Sequence, residues 1–115
     1  MGYIKHDAII VTSWDGDLLQ EAAKKAQQCG LRIIGPSGEA FNGYKSMLVC
    51  PDGSKEGWTE SDEGDSKRAD FIEYLNSIRH KDNSSPLEWV AVSYGSDDWD
   101  AKITAHAWQV PLKDA

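Results

Sequence analysis

Long hydrophobic runs are missing from this chain. No apolar stretch exceeds that of Ala8-Ile9-Ile10-Val11, far short of the roughly 20 residues that a membrane-spanning helix needs. The N-terminus, Met1-Gly2-Tyr3-Ile4-Lys5-His6-Asp7, lacks the basic-then-apolar order of a secretion signal. Cysteine is scarce: Cys29 and Cys50 are the only two, too few for a disulfide framework, and are expected to be reduced thiols in a cytoplasm. Without a signal peptide the glycosylation triplet Asn83-Ser84-Ser85 carries no weight. Positive charge is also short, with 12 Lys and Arg against 19 Asp and Glu and a formal net charge of -7. Such a surface repels phosphate polymers, so long DNA or RNA is a poor partner. A few local cations could still hold a small phosphorylated ligand.

Catalytic signatures are likewise absent. There is no Gly-x-Ser-x-Gly, no His-Glu-x-x-His and no Walker loop. His6, His80 and His106 are scattered, and nothing local pairs them with Cys29 or Cys50 as a nucleophile. The acidic stretches Ser61-Asp62-Glu63-Gly64-Asp65 and Ser96-Asp97-Asp98-Trp99-Asp100 lack the alternating oxygens and distant Glu of an EF-hand loop, and read more simply as solvated turns. No repeat or low-complexity segment occurs. The expectation is a protein that is not an enzyme and carries no metal and no cofactor.

What is present fits one domain over residues 1–115, at 12.7 kDa with 40% hydrophobic and 27% charged residues. Five tryptophans are many for this length and suggest flat contact surfaces, either a self-interface or a stacking site.

Residues 3–13 read as a strand, with β-branched Ile9, Ile10 and Val11 suited to a centre buried on both faces. Asp15-Gly16-Asp17 offers a helix cap. Leu18, Leu19, Ala22, Ala23 and Ala26 then recur at helical spacing until Gly30. Residues 31–34 predict a second strand before Gly35-Pro36. After the Asn42-Gly43 turn, Tyr44 to Cys50 alternates, with Lys45, Met47 and Val49 on one face. A loop is expected over 54–65, and a second helix capped by Asp65 or Ser66, with Ala69, Phe71, Ile72, Leu75 and Ile78 as its apolar positions. Residues 87–94 and 102–110 predict two further strands. In the last, Ile103, Ala105 and Ala107 are expected on one face and Thr104, His106 and Trp108 on the other. The fold class is therefore α+β, order βαββαββ. It is a two-layer sandwich resembling the split βαβ of ferredoxin-like folds with an added strand, two helices on one face of an antiparallel or mixed sheet. Two helices cannot cover both faces of five strands, so one face is left for solvent, a partner or a second copy.

The densest chemistry lies in Asn42-Gly43-Tyr44-Lys45-Ser46 and Pro51-Asp52-Gly53-Ser54-Lys55-Glu56-Gly57-Trp58. Ser54 and Lys55 beside Gly53 could hold an oxyanion, and Tyr44 and Trp58 could stack on a base. Taken alone, a surface loop whose tryptophan plugs the core edge is the more economical reading. Ser13-Trp14-Asp15-Gly16 stands at a helix start, where backbone N–H groups favour phosphate, but Asp15 and Asp17 compete there. Lys67 and Arg68, expected in the first turn of the second helix, are further phosphate contacts, or neutralise Asp62, Glu63 and Asp65. His80 suits a helix C-terminus.

The run Tyr3 to Trp14, the Asn42–Ser46 and Pro51–Trp58 segments, and Glu60-Ser61-Asp62-Glu63-Gly64-Asp65-Ser66-Lys67-Arg68 resemble a group of small phage-encoded proteins, identified as the anti-CBASS cyclic-nucleotide sponges. The likeness covers the chain to about Leu75, with a looser match at 89–95. It implies immune evasion by sequestering a cyclic dinucleotide of the cyclic GMP–AMP type without cleaving it. A homo-oligomer, dimer or tetramer, would do this in the cytoplasm of the bacterial host. Two bases and two phosphates would then be met by stacking faces of Trp14, Tyr44 and Trp58 and by Lys45, Lys55 and Arg68. Ser13, Ser46 and Ser54 would supply hydroxyls, and Asn42 would read a base edge. These residues are chosen by chemistry, not carried over from family contacts. Two other readings use other features: a phosphodiesterase with metal held near residues 62–65, or an interaction module that caps a host or phage protein through the open sheet face.

Overall fold

In the computed structural model the described residues form an α+β two-layer sandwich of two helices and a five-stranded sheet, wholly antiparallel. The structure describes residues 5–51, 59–82, 84–95 and 101–107, the side chains at 41 and 59–61 excepted. The elements are β1 (Lys5–Ser13), α1 (Gly16–Gln28), β2 (Ile33–Ile34), β3 (Lys45–Val49), α2 (Thr59–Ser77), β4 (Glu88–Gly95) and β5 (Lys102–His106). A single 3₁₀ turn, Phe41–Gly43, precedes β3. The strand order β2-β3-β1-β4-β5 is the split βαβ arrangement with β5 added beside β4.

Period-2 alternation sorts the strand residues between two faces. Ile9 and Val11 of β1, Met47 and Val49 of β3, and Trp89 and Ala91 of β4 point to the helices and are buried. Leu19, Ala22, Ala23 and Ala26 of α1 and Phe71 and Leu75 of α2 close over them. Burying each of the larger side chains contributes about 1.5–3 kcal/mol. The other face of β1 is less covered than its β-branched run suggests: Ile10 is 42% exposed.

The ends of α1 follow their residues. The Asp15 side chain accepts from the Leu18 N–H at 3.1 Å. At the C-terminus the Gly30 N–H donates to the Gln27 carbonyl and the Leu31 N–H to the Ala26 carbonyl. This paired closure requires the left-handed backbone that Gly30 adopts, φ 88°.

Expectations for α2 and for β5 are corrected. The second helix begins at Thr59, not at Asp65 or Ser66, so residues 59–65 are helical rather than loop. Asp62 and Glu63 near its start favour this, since carboxylates complement the positive end of a helix. Lys67 and Arg68 consequently lie two turns inside α2, away from its N-terminal amides. Ala69, expected at the interface, is exposed. In β5 the predicted alternation breaks at a bulge opposite Ala91 and Val92. Ala105 pairs with Ala91 on the helix side, whereas Ile103 pairs with Val92 and His106 with Val90 on the open side.

Candidate functional site

The residues singled out in the sequence divide between opposite ends of the sheet. At one end, β1 finishes beside the start of β3, with Ser13 opposite Lys45 and Thr12 opposite Ser46. The Ser13 hydroxyl is buried; it donates to the Pro86 carbonyl at 3.0 Å and accepts from the Asp15 N–H at 3.0 Å. The Ser46 and Thr12 hydroxyls share a hydrogen bond of 2.8 Å. The Lys45 ammonium pairs with Glu39 at 3.5 Å. Asp15 occupies the first amides of α1, the position at which a phosphate would bind. Trp14 is 68% exposed, Asn42 is exposed with a left-handed backbone, and Tyr44 is half-buried. Among the described residues this end therefore offers the open Trp14 indole, while the Ser13 and Ser46 hydroxyls and the Lys45 ammonium already have partners.

Arg68 stands at the other end. Its guanidinium donates to Asp65 at 2.6 Å and to Asp7 at 3.3 Å. Lys5 reaches Asp7 at 3.5 Å and Asp65 at 3.7 Å. Asp7 lies six residues before Ser13 on β1, a separation of about 20 Å at the rise of a strand. One chain thus cannot bring Arg68 and the Ser13–Ser46 group onto one small ligand. Arg68 ties α2 to the start of β1, and its side chain is only 7% exposed. Ser54, Lys55 and Trp58 lie outside the described residues.

Beside Arg68 opens a cavity of about 530 Å³, walled by Gly30, Leu31, Arg32, Cys50, Pro51, Glu63, Gly64 and Lys67. That volume lies within the roughly 300–1,000 Å³ of small-molecule sites. Three local features build it. The closure of α1 at Gly30 turns the chain sharply into Arg32. The Cys50 N–H bonds the Arg32 carbonyl at 2.9 Å, fixing the end of β3 against that turn. The Lys67 side chain runs over Gly30 closely enough that a Cβ there would lie 3.2 Å from its Cε. Arg32, Lys67 and Glu63 are exposed, and Arg68 is already neutralised by its acids, so the open wall carries two cations against one anion. The C-terminal end of α1 borders the cavity, and the Gly30 and Leu31 N–H groups bond the Gln27 and Ala26 carbonyls there, so Arg32 and Lys67 also offset the negative end of the helix dipole.

The wall was only partly readable from sequence. Lys67 was marked as a phosphate contact for a helix position it does not hold. Arg32 was missed. It sits in a short apolar run, and only the antiparallel return of β3 beside β2 brings it next to Cys50. Among the described residues no three His, Cys, Asp or Glu side chains gather as a metal site, and no helix is long and apolar enough to cross a membrane.

No protein-family model, curated protein or solved structure matches this chain.

Proposed function

We propose that the protein captures a small cyclic dinucleotide without cleaving it, as the sponge resemblance implies, and that the capture site is the cavity beside Gly30. The observation that carries this reading is an open wall bearing Arg32 and Lys67 on a chain whose net charge is -7. Locally placed cations attract a doubly charged ring, while the acidic remainder turns away nucleic-acid polymers. A charge-assisted hydrogen bond to phosphate is worth about 1.5–3 kcal/mol, so two such contacts supply a large part of useful affinity. In sequence, Ser54, Lys55 and Trp58 fall between the cavity-wall residues Pro51 and Glu63. The setting is the cytoplasm of a phage-infected bacterium.

The test is recovery. The purified protein is incubated with cyclic GMP–AMP, washed, and heated to release what it holds. Mass spectrometry should find the intact ring, in amounts unchanged by a chelator. Linear or hydrolysed nucleotide would mean turnover and defeat the proposal, as would failure to retain any nucleotide.

A further inference from the structure

The face of the sheet turned away from the helices has no cover among the described residues, and its side chains form ordered rows. Register places Ile34, Leu48, Ile10, Val90 and His106 side by side across all five strands. The next row is Ala8, Val92 and Ile103. Ile10 is 42%, Ile103 62% and Ile34 63% exposed. An apolar band of this breadth on a small protein marks a contact surface.

The ends of the face differ in chemistry, and they differ symmetrically. Ile9 pairs with Ala91 at the centre of the β1–β4 ladder. Three rungs to one side His6 pairs with Tyr94, and three rungs to the other Thr12 pairs with Glu88. The His6 and Tyr94 rings touch, centroids 5.2 Å apart, and His6 Nδ1 is buried with no hydrogen-bond partner among the described residues. A two-fold axis lying over the Ile9–Ala91 rung, perpendicular to the strands, exchanges these ends. It sets Glu88 of one copy against the His6–Tyr94 pair of the other, twice, and lays the apolar rows on each other. Sheets packed face to face stand about 10 Å apart with strands roughly aligned, so side chains from both copies interdigitate. Elsewhere two chains of charge -7 repel. The middle of this face holds no carboxylate, so like-charge repulsion is weakest there.

We propose that this face docks a second copy of the chain, forming an isologous dimer in which each Glu88 meets the other copy's His6–Tyr94 pair. This stands independently of the nucleotide reading, since the cavity lies on the helix side.

The experiment is light scattering of the full chain across a dilution series. The expected mass is twice 12.7 kDa. Ile10→Glu should weaken association at least a hundredfold without lowering the monomer's melting temperature, because Ile10 is partly exposed in the single chain. Glu88→Gln should weaken it several-fold. For orientation, Glu88→Cys and Tyr94→Cys are made separately with Cys29→Ser and Cys50→Ser. Mixed, they should cross-link to each other through a short bis-maleimide far more than either does alone. A monomer at all concentrations would overturn the proposal, including one that retains a foreign protein through Ile10. So would a dimer indifferent to Ile10→Glu, or cross-linking that is only homotypic.

Discussion

The two faces of the sheet are built from alternate residues of the same strands, yet they are held to different standards. Ile9 and Ile10 are neighbours of the same type; Ile9 is 1% exposed and Ile10 is 42% exposed. The helix face is closed by Phe71, Leu75 and Leu19, each fully buried, and a deletion there leaves a cavity. Among the described residues nothing packs on the open face, so its isoleucines add little to folding and are available for association. One sequence pattern thus serves stability on one side and contact on the other.

Substitutions can break this comparison, starting with the largest effect. Phe71→Ala should cost about 3–5 kcal/mol of unfolding free energy, and Ile10→Ala under dilute, monomeric conditions less than about 1 kcal/mol, both read by chemical denaturation. Equal losses would mean that the open face is covered by the chain itself. Next comes Arg68→Ala, which leaves Asp7 paired with Lys5 at 3.5 Å. A buried ion pair broken on one side costs about 3–5 kcal/mol, but Asp65 is half exposed, so the loss expected by denaturation is about 2–3 kcal/mol.

Gly30→Ala should be smaller, about 1 kcal/mol, because the side chain opposes the left-handed closure of α1. It also pushes against Lys67, so nucleotide affinity should fall with stability. Smallest is Ser84→Ala, outside both faces. The Ser84 hydroxyl and N–H bond the Asp82 carboxylate at 2.6 and 3.0 Å, holding its pKa below the ordinary value. A depressed carboxyl stabilises the folded state above its unfolded pKa, and that contribution disappears as pH falls through the folded value. Removing the hydroxyl should raise the Asp82 pKa in an NMR titration; no movement would mean the bond is not made in solution.

Much of the fold was legible because strand and helix periods are local. The alternation of Met47 and Val49 against Ser46 and Leu48, the Asp15 cap and the Gly30 stop all stand where the sequence places them. The α2 start was misjudged because acidic, glycine-containing residues 59–65 look like loop. Helix-end electrostatics and a buried Gly64 are context that composition does not display. The β5 bulge was hidden for a similar reason, since alternation assumes an unbroken ladder.

The site was less legible than the fold. Ser13 and Ser46 have the right chemistry for a ligand, but their hydroxyls are committed to Pro86 and Thr12. Arg68 reads from sequence as a phosphate contact or as a partner of nearby acids; its place between Asp7 and Asp65 makes it chiefly a strut. Such commitments are made over long sequence separations, and residue type alone does not reveal them.

Titration calorimetry of cyclic GMP–AMP into the wild-type chain and into Arg32→Ala/Lys67→Ala puts the cavity to the most direct test. The wild type should bind saturably. The double variant, with both substitutions at exposed side chains and its melting temperature unchanged, should bind at least a hundredfold more weakly, as the loss of two charge-assisted contacts of about 1.5–3 kcal/mol each requires. No heat from the wild type, or equal affinity in the two proteins, would contradict the account.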